Sequence, residues 1–233
     1  MVDTEHLAVA LSDLIATASS ERELEDYQII LSSAVGSLGA PSSEPTETRR
    51  EALEVIVRTL RRLVPKPVLW RGRLPFLTDD LLDALRREAR AGHCRAIGAS
   101  GHAFGCGGEV ADKLAVAPEL TQFMSSLAPG CTTTGIASYV YYGKEGDGIP
   151  LHLDTGMFAL NVLIVLEHRH VGASSRLLMH TFGAEPERLR LGEGEVVVFD
   201  GSSIVHGREP LGPDETVSLL TLGFRPAPTT WES

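Results

Sequence analysis

From Gly135 onward the chain is written as short apolar runs separated by glycine, aspartate, serine and proline, which points to many short β-strands. The candidates are Ile136 to Tyr142, Phe158 to Leu166, Arg176 to Phe182, Val196 to Phe199, Ile204 to His206 and Val217 to Phe224. Two more, around His152 and Trp70, bring the number to about eight, as many as a two-sheet jelly roll contains.

One phrase within this half carries chemistry. In His152-Leu153-Asp154 an imidazole and a carboxylate stand two residues apart, so in an extended strand both project from the same face. His206, in Val205-His206-Gly207, offers a second imidazole from a neighbouring strand. Two histidines and one carboxylate on one face of a metal leave its other positions open for O2 and an organic ligand, the facial triad of non-heme Fe(II) oxygenases. A bare His-x-Asp pair is common by chance, and most such pairs are solvated loop residues. The surroundings add weight: Tyr139-Val140-Tyr141-Tyr142-Gly143 and a polar turn lie upstream, and Gly192-Glu193-Gly194-Glu195 leads through Val196-Val197-Val198-Phe199 toward His206.

In these pieces, from about Leu74 to Arg225, the sequence resembles the Fe(II)- and 2-oxoglutarate-dependent dioxygenase superfamily, in its prolyl 4-hydroxylase-like and AlkB-like branches. The resemblance implies a mainly β fold, a double-stranded β-helix (jelly roll, cupin-like) core over residues 67–228, braced by an N-terminal helical extension over residues 1–66. It also implies Fe(II) held by His152, Asp154 and His206, with 2-oxoglutarate as cosubstrate and O2 as oxidant. The expected reaction is hydroxylation of an unactivated C–H bond in a small molecule or a peptidyl residue, with release of succinate and CO2. Related halogenases lack the carboxylate so that chloride can bind, and Asp154 therefore favours hydroxylation.

One feature of the resemblance departs from the family. The distal carboxylate of 2-oxoglutarate is usually held by Arg or Lys on the last core strand, followed two residues later by Ser. Here Ser218 is in place, but Thr216 stands where the base belongs. A buried dianion needs a cationic partner. Arg208, which shares the parity of His206, and Arg225 are the substitutes, with Arg176 a poorer third. Arg225 requires a bulge at Gly223 to face inward. Tyr142, ahead of Tyr139 and Tyr141, is the candidate hydroxyl donor to the same carboxylate, against the reading of a packed tyrosine strand. Two other readings stay open: a cupin-like oxidase or dioxygenase that uses the triad without 2-oxoglutarate, and a non-catalytic β-barrel binding module.

The net charge of −10 argues against a nucleic-acid partner, which needs clustered Lys and Arg. Three dispersed cysteines form neither a disulfide framework nor a zinc knuckle, the N-terminus lacks a basic leader before an apolar core, and no apolar run reaches transmembrane length. The expectation is a cytoplasmic protein. No heptad or apolar stripe fixes an oligomeric state.

Ahead of the β-rich half, Thr4 to Leu38 reads as two helices and Arg49 to Leu63 as a third, whose arginines read as a solvated face. A further helix, Leu81 to Ala91, follows the capping sequence Thr78-Asp79-Asp80. The glycine-rich segment from Gly92 to Gly108 reads as a flexible loop, either a lid over the site with His102 as a substrate contact or a plain surface connection. Glu167-His168-Arg169-His170 reads as an exposed turn, and His180 as a packed residue.

Overall fold

A computed structural model describes residues 4–19, 68–154, 156–179, 187–202 and 204–226, together with six helical positions: Tyr27, Leu31, Ala52, Val55, Ile56 and Thr59. Its strands are β1 (Val68–Gly72), β2 (Ile97–Ala99), β3 (His102–Cys106), β4 (Thr132–Tyr142), β5 (Ile149–His152), β6 (Leu160–Arg169), β7 (Leu177–Met179), β8 (Glu187–Leu189), β9 (Val196–Asp200), β10 (His206–Arg208) and β11 (Thr216–Arg225). Its helices are α1 (Thr4–Ala16), α2 (Asp79–Gly92), α3 (Glu109–Ala115) and α4 (Pro118–Leu127).

The strands form two sheets, of order β1-β9-β6-β11-β4-β3-β2 and β5-β10-β7-β8, with antiparallel pairing throughout. This is the expected jelly-roll core with helices against it. Alternation along the strands sorts the side chains into two interiors. Val140, Tyr142, Leu163, Val165, Val217 and Leu219 meet Leu177 and Met179 between the sheets. Tyr139, Tyr141, Val162, Ile164, Leu220 and Leu222 face the other way and bury α2, α3 and α4.

The helix α2 begins where the sequence placed its cap. The Thr78 hydroxyl accepts from the Leu81 amide at 3.2 Å, and Asp79 and Asp80 occupy the first turn. Its apolar side buries Leu82, Leu85 and Ala89. From the same helix Glu88 accepts the backbone amides of Val110 and Ala111, at 2.7 and 2.9 Å, and so caps α3 from outside. Gly108 is required at this junction, because a Cβ there would lie 2.6 Å from the Glu88 carboxyl carbon.

Two readings are corrected. The segment from Gly92 to Gly108 is not a loop: β2 and β3 form a hairpin that extends the larger sheet, turning at Gly101 with φ of 79°. The stretch is pinned by pairing of Ala103 to Tyr141 and Phe104 to Val140. Nor is Glu167-His168-Arg169 an exposed turn. It ends β6, and the His168 ring donates from Nε2 to the buried Glu215 carboxylate at 2.6 Å. Glu215 also accepts from the Ser175 amide and hydroxyl. Burial opposes its charge, but these hydrogen bonds hold its pKa down at about 2.

Of residues 1–66, α1 and the six helical positions are described; the rest of the second and third expected helices, with the arginine cluster, and His180 lie outside the described residues. Leu31 and Ile56 nonetheless have a clear place. With Val205 they form a small buried cluster against which Leu11, Leu151 and Leu153 pack. No helix among the described residues is long and apolar enough to cross a membrane.

Candidate metal centre

The strand pairing that builds the smaller sheet also builds the site. His206 opens β10 directly opposite His152, the last residue of β5. Their rings lie 4.3 Å apart, centroid to centroid. Asp154, two residues beyond His152, brings its carboxylate to 3.5 Å from His152 Nε2 and 3.4 Å from His206 Nε2. The three donor atoms all lie within 4.8 Å of one another, and among the described residues this is the one group of His, Cys, Asp or Glu able to hold a metal ion.

Backbone carbonyls fix the tautomer of both rings. His152 Nδ1 stands 2.9 Å from the Pro150 carbonyl oxygen, and His206 Nδ1 stands 2.9 Å from that of Ile204. A carbonyl only accepts, so each Nδ1 carries a proton, and Nε2 is the nitrogen that each ring turns toward Asp154. Tying the far nitrogen in this way is the usual orientation device for metal-bound imidazoles. Asp154 is held as firmly. Its amide donates to the Gly201 carbonyl at 2.8 Å, and its Oδ2 accepts from Asn161 Nδ2 at 2.8 Å.

Two neighbours were not singled out from the sequence. Asn161 is a buried polar residue inside an aliphatic strand, a signal that was there to be read. Gly201 had no such signal: a Cβ there would lie 2.8 Å from Asp154 Cβ and 2.9 Å from Asp154 Oδ2, so the carboxylate occupies the space a side chain would fill.

Electrostatics follow from this proximity. Burial would raise the Asp154 pKa, but the adjoining His206 and His152 hold it well below the usual carboxylate range. Burial likewise disfavours a charge on His152, yet Asp154 prevails and lifts that ring above the ordinary histidine value. In the metal-free protein His152 therefore keeps a proton to higher pH than a free histidine, and an incoming cation must displace it. Metal affinity is expected to fall by up to about tenfold per pH unit as pH drops below the raised His152 value. Titrations with Mn(II) at stepped pH would show this, and a pH-independent affinity would refute it.

The three side chains line a cavity of about 250 Å³ whose other walls include Phe104, Tyr142, Phe158, Leu163 and Leu219. The expected cosubstrate residues fall in different places. Tyr142 lines this cavity. Arg208 is buried at 6% exposure, its guanidinium 5.3 Å from the centre of the Tyr142 ring. Ser218 faces the other way: it pairs with Tyr141 and lines a separate cleft with Arg90 and Thr216. Arg225 is exposed opposite Thr132 even though the register does shift between Leu222 and Phe224, and Arg176 is exposed as well. Tyr139 and Tyr141 are packing residues, their hydroxyls donating to Glu88 and to the Ala89 carbonyl.

His102, two residues before Phe104 on β3, has its ring 6.0 Å from that of Tyr142, centroid to centroid, and lines a separate cleft with His93, Tyr141 and Asp147. Its Nδ1 donates to the Ser100 carbonyl at 3.1 Å, and its Nε2 is buried with no hydrogen-bond partner. Phe104, two residues on, reaches the cavity wall.

No protein-family profile and no curated protein sequence matches the chain significantly. Solved structures do. HygX from Streptomyces hygroscopicus, solved with nickel, 2-oxoglutarate and hygromycin B, superimposes with a TM-score of 0.56 at 10% identity, over 74% of this chain and 88% of that one. A Pseudomonas putida prolyl-4-hydroxylase gives 0.54 at 16% identity, over 73% of this chain and 100% of the other. SnoN, a non-heme α-ketoglutarate-dependent epimerase of nogalamycin biosynthesis, gives 0.56 at 13% identity, over 73% and 82%. These likenesses show a shared fold, one that carries hydroxylation in one neighbour and epimerisation in another.

Proposed function

We propose that this chain is a cytoplasmic Fe(II)- and 2-oxoglutarate-dependent oxygenase that hydroxylates an unactivated C–H bond in a small molecule or a peptidyl residue. The observation that carries the reading is the pair of tautomer-locked Nε2 atoms facing one carboxylate at the wall of a largely apolar cavity. Ferrous iron with 2-oxoglutarate and O2 would supply the C–H oxidant, with succinate and CO2 as co-products.

The residues of the chain divide the remaining work. His152 and His206 give neutral nitrogen donors and Asp154 an anionic oxygen, a set suited to a divalent first-row metal with open positions. Asn161 holds the second face of the Asp154 carboxylate. Phe104, Phe158, Leu163 and Leu219 keep the cavity apolar, which favours exclusion of water from the reacting centre. Burial pushes the Tyr142 phenol up to about 12, against the opposing pull of Arg208, so it stays a hydrogen-bond donor at neutral pH. His102 Nε2, an unpartnered acceptor, is the candidate substrate contact.

A cupin-like metal oxidase or dioxygenase without 2-oxoglutarate is the second reading. It is favoured by one observation: the residues of β11 that face the other sheet, Val217, Leu219 and Thr221, include no cation. Anaerobic addition of Fe(II) and then 2-oxoglutarate separates the two. The first reading expects a visible charge-transfer band in the wild type that His152→Ala abolishes. Bound iron without a band selects the second, and no metal uptake selects a non-catalytic binding module.

A further inference from the structure

Asn161 holds a buried acceptor with nothing to accept from. The residue is 5% exposed, and Asp154 orients its side-chain amide: the carboxylate oxygen Oδ2 only accepts, so Nδ2 must face it, at 2.8 Å. That leaves Oδ1 on the other side of the amide, buried and with no hydrogen-bond partner among the described residues. The strand ladder explains the lack of one. Asn161 stands opposite Phe199 in β9 and Gly223 in β11, and neither side chain has a donor. Nor is there room for one at Gly223, where a Cβ would collide with the Met157 carbonyl oxygen. A buried oxygen left this way is costly unless a ligand supplies the hydrogen.

The wall around it has the same character. Asn161 lines the metal cavity beside Thr221 and Ser138, which reach it from the next two strands of the sheet, β11 and β4. The Ser138 hydroxyl donates to the Gly105 carbonyl at 3.1 Å, and the Thr221 hydroxyl donates to that of Ser138 at 3.2 Å, so both oxygens keep lone pairs and have no proton left for the cavity. Three adjacent strands thus place acceptor oxygens on one wall. Phe104 and Phe158 give the same cavity flat apolar surface.

We infer that this wall reads a hydrogen-bond donor on the substrate: the molecule oxidised at this centre carries a hydroxyl or N–H group on a flat apolar frame, and that donor meets Asn161 Oδ1. Because the same amide grips the Asp154 carboxylate, the donor is seated one side chain away from the candidate metal and fixes which carbon is turned toward it. A carboxylate or ether oxygen at this point would meet lone pair against lone pair and be rejected. This assignment rests on the oxygenase reading for the reaction and adds the class of molecule that undergoes it.

The test needs no turnover. Indole and benzofuran share one bicyclic frame, with a ring N–H in the first replaced by a ring oxygen in the second. Each is titrated against Mn(II)-loaded protein and followed by the relaxation of its own protons, which the paramagnetic ion enhances only for a molecule bound near it; Zn(II)-loaded protein is the diamagnetic reference. The wild type should bind indole about tenfold or more tighter than benzofuran, since a site built around a donor rejects the analogue that lacks it. Asn161→Leu, at saturating Mn(II), should bring the two probes within about twofold of each other, and Asn161→Ser, which keeps a hydroxyl, should fall between. Equal affinity in the wild type, a preference that survives in Asn161→Leu, or indole bound without paramagnetic relaxation would overturn the inference. A wild type that takes up no Mn(II) but still prefers indole would remove the oxygenase reading and leave the donor site standing.

Discussion

Asp154→Ala should leave the protein unable to retain a divalent metal. A metal-bound imidazole is a neutral donor, so Asp154 would supply the whole negative charge of the three ligands. Loss of an outer partner of a metal ligand typically weakens binding ~10–100-fold, and loss of the one anionic ligand should exceed that. Metal content after dialysis, by elemental analysis, would decide it, with circular dichroism as the check on folding. Stoichiometric metal in this variant would mean that the site lies elsewhere.

Phe199→Ala should have the largest effect on stability. Phe199 lies in β9, fully buried between the sheets, with its ring edge against His206 at 4.7 Å. Truncating a buried phenylalanine costs about 3–5 kcal/mol. For a chain of this size that corresponds to a fall in melting temperature of about 6–20 °C. The cavity would also free the His206 ring on one side, so Phe199→Leu should recover most of the stability while Phe199→Ala also loosens the metal. A melting temperature within about 2 °C of wild type would show that the site collapses without penalty, contrary to the packing described.

The triad was legible because its parts obey the simplest rule of a strand. His152 and Asp154 share a parity, and so do His206 and Arg208; placing His206 opposite His152 needed only two adjacent antiparallel strands. Ser218 failed under the same rule. The motif order placed it inside, but its partner in the ladder is Tyr141, and the register against β6 slips between Ser218 and Leu219. The inward residues are its neighbours Val217 and Leu219.

The hairpin of β2 and β3 was hidden for a different reason. Its residues lack apolar alternation, and the β3 strand is held by pairing to β4 through Ala103, Phe104, Gly105 and Cys106 rather than by its own propensity. Helix α3 is similar. Its N-terminal amides are satisfied by Glu88, which is more than twenty residues away in sequence, so no local cap announced it. These are tertiary decisions, and they fix Phe104 at the cavity and His102 beside it.

The small cluster of Leu31, Ile56 and Val205, with Leu11, Leu151 and Leu153, acquires a meaning once the centre is known. Leu151 and Leu153 alternate with His152 and Asp154, and Val205 directly precedes His206. The N-terminal helical residues Leu11, Leu31 and Ile56 and the three candidate ligands thus lie on opposite faces of the same two short segments. By thermodynamic reciprocity, whatever free energy helix docking adds to metal affinity the ion returns to helix docking. Leu11, Leu31 and Ile56 and a bound ion would then act as two ligands of the same two segments, so that a change in the packing of the first would be felt as a change in affinity for the second.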